Sequence, residues 1–133
     1  MAEIATPYER IGGEAGVRKL CQTFYQIMSE TPQTQLIRDL HPENIRSSEE
    51  KLFMFLSGWL GGPPLFTDKF GHPRLRARHL PFSIGIEERD QWLYCMAQAL
   101  KTMDLDPLFA EQLMSSFVQT ADFMRNRQEQ TTG

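Results

Sequence analysis

Gly71-His72-Pro73-Arg74-Leu75-Arg76-Ala77-Arg78-His79-Leu80-Pro81-Phe82, with Trp92 thirteen residues beyond His79, is the stretch on which the reading of this chain turns. Proline locks its own φ and pushes the residue before it out of the helical region. Pro73 suits the first position of a short helix and Pro81 closes it two residues past His79, so only one or two turns fit between them. The stretch carries one imidazole on a tight, arginine-rich turn and leads to an indole on the following helix.

Outward from it, residues 64–85 read as mostly irregular, and four longer segments read as helices by their apolar spacing. In residues 14–30, Val17, Leu20, Cys21, Phe24, Ile27 and Met28 recur at steps of three and four, with Tyr25 at the edge of the stripe. Gly12-Gly13 marks a turn before it and Pro32 ends it. A second helix starts near Ser47 or Ser48, where Ser47 and Glu50 have capping-box spacing. Leu52, Phe55, Leu56, Trp59 and Leu60 line one of its faces, and Gly61-Gly62-Pro63-Pro64 stops it. Trp92, Leu93, Met96, Ala97, Leu100 and Met103 mark a third helix over residues 86–103. Phe109, Leu113, Phe117, Ala121 and Met124 mark a fourth over residues 107–125. The polar tail, residues 126–133, is expected to fray. No strand is persuasive, so the expected class is all-α, with four helices in two antiparallel pairs as the simplest packing.

The 133 residues suit one domain, and a hydrophobic content of 41% suffices for a core. A net charge of −3 offers no basic footprint for nucleic acid. No apolar run approaches the ~20 residues of a membrane span, and residues 1–10 lack the apolar run of a signal peptide. The two cysteines, Cys21 and Cys95, form no Cys-x-x-Cys pair and read as buried, reduced thiols of a cytoplasmic protein.

Three histidines occur: His41, His72 and His79. None has the spacing of a zinc or di-iron site, and neither a phosphate loop nor a nucleophile elbow is present. His79 is the best candidate for a metal ligand; the plain alternative is an exposed or core-satisfied histidine. An imidazole suits the iron of haem, and arginines suit its propionates, with Arg78 favoured over Arg74 and Arg76. A solvated arginine face remains the alternative. Tyr25 and Trp92 each join an apolar body to one donor, fitting either ordinary core packing or a donor pair for an iron-bound ligand. Leu52, Phe55, Phe66 and Phe82, with Phe24, Phe53 and Phe70, read as core or as walls of a flat apolar pocket.

Taken in order, Tyr8-Glu9-Arg10-Ile11-Gly12-Gly13, Phe24-Tyr25, Trp59-Leu60-Gly61-Gly62-Pro63-Pro64, the tract from Gly71 to Phe82, and Glu88-Arg89-Asp90-Gln91-Trp92-Leu93-Tyr94-Cys95-Met96 resemble the truncated haemoglobins, and within them the second group. The resemblance spans residues 7–124. It implies a shortened globin, a two-on-two helical sandwich around haem b. It implies that His79 ligates the iron, that Trp92 lies over the distal side, and that Tyr25 is the distal tyrosine. His41 falls at the position opening the loop, where the family usually has an aromatic residue. Ser48 and Leu52 fall at distal-helix positions facing the iron, and the small Ser48 implies a side-entry route.

The function expected from this resemblance is reversible binding of dioxygen, carbon monoxide and nitric oxide. Distal donors stabilise a partly negative ligand by about 1.5–3 kcal/mol per hydrogen bond to charge, which slows its release. Such retention suits a scavenger, a sensor or a detoxifying enzyme, with nitric oxide dioxygenase or peroxidase chemistry as the enzymatic alternative. An electron donor would then be a partner, and the chain a monomer or homodimer. A four-helix interaction module without cofactor is the reading from a different class.

Overall fold

The computed structural model describes residues 5–74, 77, 79, 82 and 84–126. Its helices are α1 (Pro7–Arg10), α2 (Gly13–Glu30), α3 (Gln35–Asp39), α4 (Arg46–Trp59), α5 (Leu65–Phe70), α6 (Ile86–Lys101) and α7 (Pro107–Phe123), with a 3-10 turn at Pro32–Thr34. No strand occurs among the described residues. α2 packs on α4 and α6, and α6 packs on α7, so α2 and α6 form the spine of two helix pairs.

The apolar stripe of α2 explains its place at the centre. Val17, Leu20, Cys21, Phe24 and Met28 are sealed from solvent, and Tyr25, expected at the edge, is buried with them. Each such side chain contributes about 1.5–3 kcal/mol by leaving water. The turn before α2 needs glycine twice, at Gly12 (φ 111°) and Gly13 (φ 67°). Gly16 is required for a different reason. A Cβ there would overlap the carbonyl of Ile11, so α1 is pressed directly onto α2. At the far end, the buried Thr34 hydroxyl lies 2.9 Å from the carbonyls of Met28 and Thr31 and closes the helix terminus.

Several expectations are corrected. α4 begins at Arg46, and its first turn has no Ser47–Glu50 capping box; instead Asn44 Oδ1 accepts from the Arg46 N–H at 3.1 Å. The chain after Pro64 is not irregular throughout, because α5 occupies Leu65–Phe70. Helical structure does not open at Pro73, since Arg74 takes a left-handed φ of 47°. Pro81, expected to close that turn, lies outside the described residues. Phe70, read as a core or pocket-wall residue, is exposed.

The buried faces of α4 and α6 are also rotated from those expected. In α4 the core side is Phe53, Met54, Leu56 and Ser57, while Leu52, Phe55 and Trp59 are half-buried. In α6 the core side is Cys95, Met96, Ala99 and Leu100, while Trp92 and Leu93 are half-buried, and the half-buried Met103 lies in the turn beyond the helix, which ends at Lys101. Each helix is apolar over more than one face, so spacing alone could not say which face meets the core. α7 follows its expected stripe through Phe109, Leu113, Phe117 and Met124. Pro107 at its first position and Asp106, accepting from Phe109 N–H at 3.1 Å, start it.

Candidate functional site

Phe24, fully buried on α2, is the hub of the distal candidates. Its ring lies edge-on to Tyr25 at 4.9 Å and to Trp92 at 5.0 Å, so α2 and α6 bring the tyrosine and the indole to one aromatic cluster. Phe117 of α7 backs Trp92 at 5.8 Å and stacks on Trp59 at 4.7 Å. The polar tips of this cluster are barely used within the protein. The Tyr25 hydroxyl approaches only the Ser48 carbonyl, at 3.5 Å, the outer limit for such a bond. The indole N–H of Trp92 makes no hydrogen bond to another described residue. Burial drives the Tyr25 pKa far upward, so the phenol keeps its proton and remains a donor.

His41 lies in the bend after α3, half-buried rather than at the surface, with its ring 5.6 Å from that of Tyr25. Its Nδ1 is 2.8 Å from the Ile37 carbonyl, which can only accept, so Nδ1 carries the proton. Nε2 of the neutral ring is therefore an acceptor, and His41 is a distal donor only when doubly protonated. Burial lowers its pKa, and the positive charges of Arg38 and His79 push the same way against the bond to Ile37. Neutral His41 thus prevails at neutral pH.

Two residues that spacing did not single out hold this bend. Gln91, beside Trp92 on α6, accepts from the Ile37 N–H at 3.1 Å through Oε1. Arg38 donates to the carbonyls of Pro42 and Glu43 at 3.0 and 2.9 Å. Nothing in a lone glutamine or a surface-type arginine marks such a role in advance, because each acts on backbone distant in sequence or folded back on itself.

The remaining expected residues divide. Leu52 and Phe55 sit on the half-buried face of α4, and Phe66 is buried on α5, edge-on to Phe55 at 6.4 Å. A cleft of about 240 Å³ opens among Met54, Phe55, Gly58, Trp59, Pro64, Phe66, Thr67 and Pro73. It unites Phe55 and Phe66 but not Leu52, Trp92 or His79. Ser48 is half-buried and offers its carbonyl, not its hydroxyl, to Tyr25. His79 is half-buried and helical. Phe82, expected as a pocket wall, is 42% exposed. Arg74 is exposed, and Arg76 and Arg78, the favoured propionate partner among them, lie outside the described residues. Cys21 and Cys95 are free and buried, with thiol pKa values pushed by burial to about 12 and about 11. Both stay protonated at neutral pH and are poor nucleophiles.

The family profile described as Bacterial-like globin matches residues 6–126. The curated group 2 truncated hemoglobin YjbI of Bacillus subtilis is 41% identical over 123 residues, covering 92% of this chain and 90% of its own. The chain is a group II truncated haemoglobin.

Solved structures of truncated haemoglobins agree over almost the whole length. The cold-adapted protein of Pseudoalteromonas haloplanktis superposes with a TM-score of 0.91 at 46% identity, covering 93% of this chain and all of its own. A truncated haemoglobin of Bacillus subtilis described as oxygen-avid superposes at 0.82 with 40% identity, over 92% of this chain and 100% of its own. The α2/α4 and α6/α7 pairs are thus the two layers of a two-on-two globin. Membership in this truncated-haemoglobin family implies a haem cofactor, and the residues present fit one. Apolar side chains of α4 and α6 are left half-buried, an imidazole precedes α6, and the Tyr25 hydroxyl makes only one long hydrogen bond. No described helix is long and apolar enough to cross a membrane.

Proposed function

We propose that this truncated haemoglobin holds haem b through His79 and reversibly binds dioxygen, carbon monoxide and nitric oxide beside Tyr25 and Trp92. Haem, when bound, would supply an iron able to take a diatomic ligand. His79 would hold that iron through an imidazole nitrogen. Leu52, Phe55 and Phe66 offer apolar walls, Trp92 covers the ligand side, and Arg78 is the cation next to the ligating histidine that suits a propionate. Phe82, at the solvent-exposed end of the segment, marks the pocket's rim. Ser48 leaves room at the start of α4 for ligand entry.

The observation that carries this reading is the pair of polar tips on one aromatic cluster. Phe24 packs edge-on against both Tyr25 and Trp92, and the phenol hydrogen is held only by a 3.5 Å bond to the Ser48 carbonyl, which a guest can displace. Organised donors cost no rearrangement when a partly negative ligand arrives. The oxygen-avid description of the Bacillus subtilis relative points to the same property. His41, with Nδ1 engaged, has only an Nε2 lone pair to offer when neutral and packs edge-on against the Tyr25 ring, so it is not a donor to the ligand.

Absorption spectra of purified, haem-reconstituted protein test the reading in oxidised, reduced and gas-exposed states. A Soret band that shifts with dioxygen and carbon monoxide is the expected result. Folded protein that takes up no haem would overturn it.

A further inference from the structure

The polar tail was expected to fray from residue 126, yet Asn126 makes a dense set of hydrogen bonds. Its side-chain Nδ2 donates to the carbonyls of His79 and Phe82, at 3.0 and 2.7 Å. Its Oδ1 accepts from the Ile84 N–H at 2.9 Å, and its own backbone N–H donates to the Ile84 carbonyl at 3.0 Å. The two hydrogens of one amide serve two carbonyls while its oxygen serves an N–H, so the reverse orientation would face oxygen with oxygen. The partners lie more than 40 residues away in sequence, with separations of 47, 44 and 42. Phe82 N–H also donates to the His79 carbonyl at 3.0 Å, which folds the segment into a turn that the amide spans.

We infer that Asn126 is a positioning residue for His79, setting the seat and tilt of the imidazole from the end of α7. The inference rests on the reading of His79 as the haem ligand. A ligating imidazole on a short turn gets its direction from the turn's backbone, and here that backbone is tied across the molecule at its own carbonyl. Groups that orient a metal ligand from behind change metal affinity by about 10- to 100-fold when removed. The neighbouring ion pairs make other links: Arg89–Asp122 at 2.6 Å ties α6 to α7, and Arg125–Asp122 at 3.2 Å stays at the end of α7. They supply a control for general loosening of this corner.

The test compares Asn126→Ala, Asn126→Asp and Asp122→Ala with the parent, all reconstituted with haem. Asn126→Asp keeps the oxygen that accepts from Ile84 but removes both donors, so it preserves the shape of the site if the alanine variant does not fold. Resonance Raman of the ferrous, ligand-free protein reads the iron–histidine stretch, and transfer to apomyoglobin reads haem loss. The expected result is a shifted or broadened stretch and haem loss accelerated about 10- to 100-fold in the Asn126 variants. Asp122→Ala should leave the stretch in place. An unchanged stretch with haem loss within twofold of the parent overturns the inference, as does an equal shift in Asp122→Ala. If the parent itself shows no iron–histidine stretch, the assignment of His79 falls first and this inference with it.

Discussion

Tyr25→Phe removes one oxygen and keeps the ring, which isolates the donor from the packing. In the ligand-free protein the loss is small. The Tyr25 hydroxyl reaches only the Ser48 carbonyl at 3.5 Å, well beyond the optimum near 2.8 Å for such a bond. The edge-on contact with Phe24 at 4.9 Å survives the change. Unfolding stability should therefore move by less than about 1 kcal/mol. With dioxygen bound, the same substitution deletes a hydrogen bond to a partly charged acceptor, worth about 1.5–3 kcal/mol. At 1.4 kcal/mol per factor of ten, and with the loss expressed in dissociation, release should quicken roughly 10- to 150-fold. Stopped-flow replacement of dioxygen by carbon monoxide reads this rate, and urea unfolding reads the stability. An unchanged off-rate in fully haem-loaded protein would refute the reasoning. So would a stability loss of several kcal/mol, which would make the hydroxyl a structural group.

Trp92→Phe should also speed dioxygen release. If Trp92 and Tyr25 serve one ligand, the double variant should depart from additivity by about 0.5 kcal/mol or more in a double-mutant cycle. His79→Ala should bind haem poorly at stoichiometric loading, and a normal ferrous spectrum in that variant would reject His79 as ligand. The depressed pKa of His41 means that the unfolded chain takes up a proton near its ordinary value of 6.5 while the folded chain does not. Stability from this group is complete above that value and declines as pH falls from there toward the lowered folded value; urea unfolding at pH 7.5 and 5.5 should show a smaller acid loss in His41→Phe. Gly16→Ala forces a methyl group against the Ile11 carbonyl, so Tm should fall by about 10 °C. A thermal melt matching the parent would show that α1 can retreat without cost.

Where sequence and structure part company, the reason is two-sided apolarity or distance along the chain. The stripes of α2 and α7 were legible because the residues at helical spacing in each, Val17 to Met28 and Phe109 to Phe117, are the ones that are buried. α4 and α6 carry apolar residues on two faces, one buried in the core and one half-buried against it, and spacing could not rank them. α5 escaped notice because six residues between prolines and glycines hold too little periodicity. The tautomer of His41 was invisible because it depends on a carbonyl brought round by α3, itself anchored by Gln91 on α6. Asn126 was misjudged because polar composition at a terminus ordinarily signals fraying.

From its residues alone the chain determined that it is all-helical, that glycine pairs and prolines divide it, and that one imidazole on a short turn precedes an indole. Those properties are local, set by side-chain volume, backbone freedom and hydrophobic period. Only the tertiary structure decided that Phe24 would join Tyr25 to Trp92, that His41 would present a lone pair, and that an amide from the far end would grip the turn of His79. Each of these depends on contacts that form only once the helices pack, and a hydrogen-bond partner more than 40 residues away, as for Asn126, leaves no periodic trace in the sequence.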